Sequence, residues 1–109
     1  MDDGRKILQE ILKIENRPDA IIAGSDEAAA GILTEAMKQG IKVPEDLAIV
    51  GVDDQPIASL LPIPLTTIRQ PVQDEGMLAA KEIIRQLSEE PDDTVRKELE
   101  LELVIRQSA

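Results

Sequence analysis

The sequence predicts an α/β domain in three layers, a mainly parallel sheet of three to four strands flanked by helices. Short apolar runs alternate with longer stretches whose apolar residues recur every three or four positions, the order that favours parallel strands joined by helical crossovers. The clearest run, residues 47–52, is aliphatic apart from Gly51 and stops at Asp53 and Asp54. A run of this kind is typical of a strand buried on both faces of a sheet.

Composition excludes several classes of function. The 109 residues include no Cys and no His, so zinc sites and histidine acid–base chemistry have no side chains to use. We expect no catalytic residues, no metal and no cofactor. The formal net charge of -10 repels a phosphate backbone, so we expect no direct binding of nucleic acid. Because no apolar run is long enough to span a bilayer, we expect a cytoplasmic protein without membrane contact.

The first half of the chain reads as helix, strand, helix. Residues 4–15 have the period of an amphipathic helix, and residues 20–23 form a short apolar strand. Ser25 is a good N-cap for a second helix that reaches about Gln39, with Gly40 as its stop and Asp26 in its first turn. The apolar positions of the two helices are Ile7, Leu8, Ile11 and Leu12, then Ala29, Ile32, Leu33, Ala36 and Met37.

The second half is less regular. Three prolines in residues 55–64 exclude a long helix and leave room for one turn near 56–60. Residues 65–69 read as a short strand, and a helix runs from Pro71 to about Ser88, with Leu78, Ile83 and Leu87 on its apolar side. Leucine or isoleucine at 99, 101, 103 and 105 alternates with glutamate at 98, 100 and 102, which predicts a half-exposed strand with one acidic face.

Two polar residues follow strands that are predicted to be neighbours. Ser25 follows the first strand, and Asp53 follows the run at 47–52. Since the order helix, strand, helix, strand predicts adjacent parallel strands, both residues should lie at the carboxyl edge of the sheet, where α/β folds bind ligands.

Three segments resemble the effector-binding region of the lactose-repressor family of bacterial transcription regulators, whose sensing domain is similar to periplasmic sugar-binding proteins. They are residues 17–31 (RPDAIIAGSDEAAAG), 40–54 (GIKVPEDLAIVGVDD) and 64–71 (PLTTIRQP). Their order and spacing also match, and VIRQS at 104–108 extends the resemblance over nearly the whole chain.

The resemblance implies that residues 1–109 form a single fragment, the C-terminal part of the effector-binding domain. The DNA-binding headpiece and most of the first lobe are then absent. The segment from Thr66 to Pro71 would cross towards that first lobe, where the helix at 71–88 would pack. Without its partner, that helix must dock on its own sheet, exchange with another copy, or expose its apolar side.

The resemblance also suggests binding residues for a sugar or nucleoside-like effector. Asp53 matches the family's acid that accepts hydrogen bonds from effector hydroxyls, although an acid here is also typical of an ordinary turn. Ser25 matches the family position where an Asn or similar side chain touches the effector, and its role as an N-cap explains it without any ligand. Gln70 and Val72 match the segment that lines the cleft, and ordinary packing explains them as well. Val52 stands where family members often carry an aromatic residue, so the chain supplies no ring to stack on a sugar.

Four further residues match the surface that pairs two subunits in the family: Ala30, Thr34, Leu60 and Leu61. The resemblance therefore implies a homodimer, or a domain-swapped pair. The alternative is that the two leucines only cover the core of their own chain.

Two other functions remain open at this point. The stretch from Ile49 to Asp54 is also similar to the first strand and acidic pair of a phosphoacceptor receiver domain, in which such acids bind magnesium. The later strands, however, offer neither the phosphoacceptor Asp nor the Lys of that fold. The other alternative is an engineered or excised α/β scaffold without any ligand.

Overall fold

The structure, a computed structural model, describes residues 2–88 and 96–109. In this part of the chain, helices and strands alternate almost throughout. Their bounds are α1 Asp2–Ile11, β1 Ala20–Ile22, α2 Asp26–Lys38, β2 Ala48–Val52, α3 Pro56–Leu60, β3 Thr66–Arg69, α4 Val72–Ser88 and β4 Glu102–Val104.

The chain forms two compact units. The first contains the residues up to Arg69 together with Glu102–Ala109, and the second contains Gln70–Leu101. All four strands belong to the first unit, which is therefore discontinuous in sequence. The chain leaves it after β3 and returns to it at β4.

The strands lie in one sheet in the order β1-β2-β3-β4. Strands β1, β2 and β3 are parallel, and β4 is antiparallel to β3. In the register, Ile21 lies opposite Ile49 and Gly51 lies opposite Thr67. The prediction of an α/β fold with a mainly parallel sheet of three to four strands is confirmed.

Strand β2 is not buried on both faces. Ile49 and Gly51 are buried, whereas the alternate residues Ala48, Val50 and Val52 are only half-buried. The core cluster joins Ile49 to α1 and α2, so the helices cover that face of β2 more completely than the other. The prediction of a doubly buried strand is therefore wrong.

Helix α1 approaches α2 closely because of Gly4. A Cβ atom at this position would overlap the carbonyl oxygen of Ala28, and Leu8, one turn later, is fully buried. The helix ends at Ile11 rather than near residue 15. Ile7, predicted on the apolar face, is 44% exposed because Gly4 and Leu8 lie on the buried face of the helix instead.

Helix α2 begins and ends as the sequence predicts. Ser25 is its N-cap, and Gly40 has φ of +73°, in the left-handed region that suits glycine. Four of the five residues predicted for its inner stripe are buried. Met37 is the exception, 43% exposed, because it lies one residue beyond Ala36 at the margin of the stripe.

The predicted C-terminal strand is shorter and more exposed than expected. Strand β4 spans Glu102–Val104, and Leu101, Leu103 and Ile105 are 60%, 57% and 73% exposed. The prediction of a strand with its apolar face covered is wrong. In the described residues, β4 lies at the edge of the sheet beside β3.

Ser108 connects β2 and β3 near their amino ends. Its Oγ donates a hydrogen bond to the carbonyl oxygen of Ile49 at 2.5 Å and accepts one from the backbone N–H of Thr66 at 2.8 Å. Its own carbonyl oxygen accepts from the backbone N–H of Ile49 at 2.8 Å. Ser108 is fully buried, so these bonds replace water that the groups would otherwise contact.

In the second unit, α4 has no buried residue. Ile83 and Leu87 are 59% and 83% exposed, and Leu78 is half-buried. The three possibilities for this helix stay predictions, because they concern what it contacts outside the second unit. No helix in residues 2–88 and 96–109 combines the length and apolar character needed to cross a membrane.

Candidate functional site

Ser25 and Asp53 both follow strands at the carboxyl edge of the sheet. Strands β1 and β2 are hydrogen-bonded neighbours and run parallel, as predicted. Asp53 comes directly after β2, and Ser25 comes three residues after β1. The backbone N–H of Ala23, just after β1, also donates to the carbonyl oxygen of Val50 in β2 at 2.8 Å, so the two segments stay hydrogen-bonded up to this edge.

Ser25 has a structural role at this edge. Its Oγ accepts a hydrogen bond from the backbone N–H of Ala28 at 3.2 Å, and its backbone is extended. This geometry satisfies one of the N–H groups that the first turn of a helix leaves without a partner. The side chain is half-buried, so an N-cap and a ligand contact are compatible roles.

The loop after β2 is held by three consecutive backbone N–H groups, those of residues 53–55. In order along the chain, they donate to the carbonyl oxygen of Ile68 (2.8 Å), to Oγ1 of Thr67 (3.3 Å) and to Oδ2 of Asp26 (2.6 Å). The first two loop residues have positive φ, +102° and +52°, which side-chain-bearing residues rarely adopt. A strained loop of this kind persists where its surroundings hold it in place.

Asp26 is the centre of this arrangement. Its position in the sequence indicates only an ordinary acid of the first helical turn. It is fully buried, with Oδ1 accepting from Oγ1 of Thr67 at 2.5 Å. A Cβ atom on Gly51 would overlap the same Oδ1. A glycine inside an aliphatic strand often marks close approach by another group, and this was the one signal in the sequence.

Asp54 is bound by two arginines. Its side chain is 11% exposed; Oδ1 accepts from Nη2 of Arg106 at 2.6 Å, and Oδ2 from Nε of Arg69 at 2.8 Å. Burial raises the pKa of Asp54, but the hydrogen bonds from Arg106 and Arg69 outweigh it and hold the pKa below its ordinary value. Arg69 also pairs with Glu102 at 2.8 Å. No local pattern in the sequence indicates these partners.

This pairing disfavours the receiver alternative. A receiver would use both acids after the strand as ligands of magnesium. Here Asp54 is occupied by two guanidinium groups. Within residues 2–88 and 96–109, no three His, Cys, Asp or Glu side chains are grouped so that they could hold a metal ion.

A cavity lies at the opposite edge of the sheet. It has a volume of about 770 Å³, and its lining includes Asp19 and Leu47, which directly precede β1 and β2. It is therefore separate from Ser25 and Asp53, which follow those strands.

Gln70 and Val72 belong to the second unit. Gln70 is half-buried, and its carbonyl oxygen accepts from the backbone N–H of Val72 at 2.9 Å. Val72 is 61% exposed at the first turn of α4. Their predicted contact with an effector stays a prediction.

The four residues predicted at a subunit interface differ in exposure. Leu60, at the end of α3, is 80% exposed, whereas Leu61 is half-buried and packs against the core. Thr34 is half-buried and donates to the carbonyl oxygen of Ala30 at 2.7 Å. Ala30 is fully buried within this chain. Contact of these four residues with a second copy stays a prediction.

Comparison with known proteins gives consistent matches. A family model described as a periplasmic binding protein-like domain matches residues 2–109. The ribose operon repressor of Halalkalibacterium halodurans is 36% identical over 108 residues, which cover 99% of this chain and 33% of that protein. The HTH-type transcriptional repressor CytR of Escherichia coli strain K12 is 36% identical over 105 residues, covering 96% and 31%.

Solved structures agree with the fold. The LacI family transcriptional regulator from Lactobacillus casei with bound sucrose has a TM-score of 0.80 at 37% identity, covering 97% of this chain and 39% of that one. The complex of transcriptional regulator CelR with cellobiose has a TM-score of 0.92 at 32% identity, covering 99% and 33%. The chain spans about one third of the length of the curated relatives that it matches. It belongs to the periplasmic-binding-protein-like domain family and is similar to the effector-binding part of lactose-repressor-type (LacI) transcription regulators.

Proposed function

We propose that this chain is the effector-sensing and dimerisation portion of a LacI-type regulator, acting in the cytoplasm without enzymatic activity. In the whole regulator, a DNA-binding headpiece and a first lobe would complete it. Effector binding between the lobes would then change the affinity for DNA, a coupling between two distinct sites.

The observation that carries the proposal is the position of Asp53 in a rigidly held loop at the carboxyl edge of a parallel sheet. Its backbone N–H is bonded to β3, and the next two residues are bonded to Thr67 and Asp26. A carboxylate in a fixed loop is a strong acceptor for ligand hydroxyls, because little ordering is needed when the ligand arrives. Ser25 supplies a hydroxyl at the same edge.

A sugar or nucleoside-like effector suits this chemistry. Both carry vicinal hydroxyls that a carboxylate can accept from. The relatives are named as a ribose operon repressor and as CytR, and structures of similar regulators contain sucrose or cellobiose. Gln70 and Val72 would contribute from the segment that follows β3.

Calorimetric titration of the chain with ribose, cytidine, sucrose and cellobiose tests binding. We expect heat from at least one of them, and Asp53→Asn should raise its Kd at least about tenfold through loss of a charged acceptor. Asp19→Asn is the matched control, since Asp19 is an exposed acid that precedes β1 at the opposite edge. Absence of heat with all four compounds supports a scaffold without ligand and contradicts the proposal for this chain.

Dimerisation is proposed through the surface formed by Thr34, Leu60 and Leu61. An exposed leucine beside a half-buried one suits the centre of an interface. Light scattering during size exclusion should give the mass of a dimer, and Leu60→Glu should reduce it to a monomer. Gln86→Glu on α4 is the control. A dimer that survives Leu60→Glu contradicts this surface and favours exchange of α4 between copies.

A further inference from the structure

We infer that Asp26 is a positioning residue for effector recognition: its buried carboxylate sets the direction in which Asp53 presents its own carboxylate. This inference rests on the proposed function, because it concerns the same edge of the sheet. Asp26 itself has no exposed surface, so it acts through the loop and not by touching the effector.

The carboxylate of Asp26 is satisfied by groups from two other elements. Oδ2 accepts the backbone N–H of Gln55 at 2.6 Å, and Oδ1 accepts the hydroxyl of Thr67 at 2.5 Å. Within residues 2–88 and 96–109, Asp26 forms no ion pair. Burying a carboxylate without a cation costs desolvation free energy unless hydrogen bonds compensate it. These two hydrogen bonds therefore stabilise Asp26 in its buried position.

Helix α2 adds to this compensation. Asp26 is the first residue of α2, next to the Ser25 cap. Negative charge is favoured at a helix N-terminus by the partial positive charge of the unpaired N–H groups. The position therefore suits an acid better than a neutral side chain of the same shape.

The fold leaves space for this carboxylate at Gly51. A Cβ atom there would overlap Oδ1 of Asp26 and lie 2.8 Å from a side-chain carbon of Leu65. Strand β2 thus omits a side chain at a position where a Cβ atom would displace Asp26. The arrangement links β2, β3 and the N-terminus of α2 around one group.

The loop after β2 depends on the same group. Thr67, which donates to Asp26, also accepts the backbone N–H of Asp54 at 3.3 Å, and Asp26 accepts the next N–H directly. Asp53 has φ of +102°, a conformation that its own side chain disfavours. Release of the two N–H groups that follow it allows φ of Asp53 to relax, and this rotates its Cβ and redirects its carboxylate.

Asp26→Asn tests the inference, because it keeps the shape and removes the charge and one acceptor. In NMR experiments on the whole chain, we expect amide exchange of Gln55 to accelerate at least about tenfold, and the three-bond couplings that report φ of Asp53 and Asp54 to change. Thr67→Val is the second variant. It keeps Asp26 and should alter the same couplings to a smaller extent, so the inference stays testable if Asp26→Asn does not fold.

Ser108→Ala is the matched control for a merely structural role. It removes buried hydrogen bonds between β2 and β3 at the other edge of the sheet. We expect it to lower the urea midpoint while the couplings of residues 53–55 stay as in the wild type. If Ser108→Ala changes those couplings as much as Asp26→Asn, or if Asp26→Asn leaves them unchanged, the inference is wrong.

The ligand titration separates this inference from the proposed function. For whichever of ribose, cytidine, sucrose or cellobiose binds the wild type, Asp26→Asn should raise Kd at least about tenfold. An unchanged Kd overturns the positioning role. If none of the four compounds binds the wild type, the proposed function fails for this chain, and the NMR couplings alone decide whether Asp26 directs the loop.

Discussion

The guanidinium group of Arg106 donates a hydrogen bond at 2.6 Å to the carboxylate of Asp54, which lies 52 residues earlier in the chain. The same guanidinium donates to the carbonyl oxygen of Leu65 at 2.9 Å. Arg106 therefore connects the C-terminal segment to the loop that carries Asp53 and to the approach to β3.

This pairing predicts a pH dependence of stability. Arg106 and Arg69 lower the pKa of Asp54 below its ordinary value of 3.8. The carboxylate therefore binds a proton more readily in the unfolded chain than in the folded one. The stabilisation by the charge of Asp54 is present above the ordinary pKa of this group. It is lost as the pH falls below that pKa and then through the lowered pKa of the folded chain. Urea unfolding at pH 7 should show a loss of about 1–2 kcal/mol in Asp54→Asn.

The pH series provides its own check. The difference in unfolding free energy between the wild type and Asp54→Asn should shrink as pH falls from 5 to 2. A difference that stays constant over this range means that the charge of Asp54 does not stabilise the fold. Asp19→Asn, an exposed acid, is the control and should change stability by less than about 0.5 kcal/mol.

Gly51→Ala should destabilise the first unit by about 1–3 kcal/mol. The added methyl group would overlap the carboxylate of Asp26, which cannot move without losing its bonds to Thr67 and Gln55. Gly24→Ala is the matched control, because no heavy atom beyond its two neighbours in the chain lies within 4 Å of the position of its Cβ. Chemical unfolding of both variants measures the difference, and equal midpoints would contradict the close approach of Asp26 to β2.

Ser108→Ala should lower the free energy of unfolding by about 1–3 kcal/mol, because the N–H of Thr66 and the carbonyl oxygen of Ile49 would lose a buried partner. Ser59→Ala is the control. Its hydroxyl donates to the carbonyl oxygen of Pro56 on the exposed surface, where water can replace it. A loss in Ser59→Ala as large as that in Ser108→Ala would argue against a special role for burial.

Glu82 in α4 should titrate at an unusually low pH. Two hydrogen bonds from Arg85, at 2.7 and 2.9 Å, together with one from Gln86, lower the pKa of Glu82 to about 2. Arg85→Gln should move this pKa back towards 4.5, the ordinary value. Carbon NMR of the side-chain carboxyl across pH 1–6 measures it, and an unchanged midpoint would show that the ion pair does not form in solution.

Local patterns predicted most of the elements. Apolar periodicity gave the order of helices and strands, and Ser25 and Gly40 marked the ends of α2 because capping depends on residues next to each other in sequence. The short helix at Pro56 and the parallel relation of β1 and β2 also followed from local signals.

Contacts between distant residues were not predictable in this way. The bond from Gln55 to Asp26 joins residues 29 positions apart, and no period in the sequence connects them. Asp26 looked like an ordinary first-turn acid because its local position explains it fully. Exposure of Leu101 and Leu103 was missed for a related reason, since alternation predicts which residues share a face and not whether anything covers that face.

The register of β3 and β4 has a consequence for how the chain can be shortened. Arg69 and Glu102 lie directly opposite each other in an antiparallel pair, at the points where the chain leaves and re-enters the first unit. The 32 residues between them thus take the place of a hairpin turn. An Asn-Gly dipeptide in a type I′ turn matches the twist of such a pair. Replacing residues 70–101 with this dipeptide should therefore give the first unit as one continuous chain.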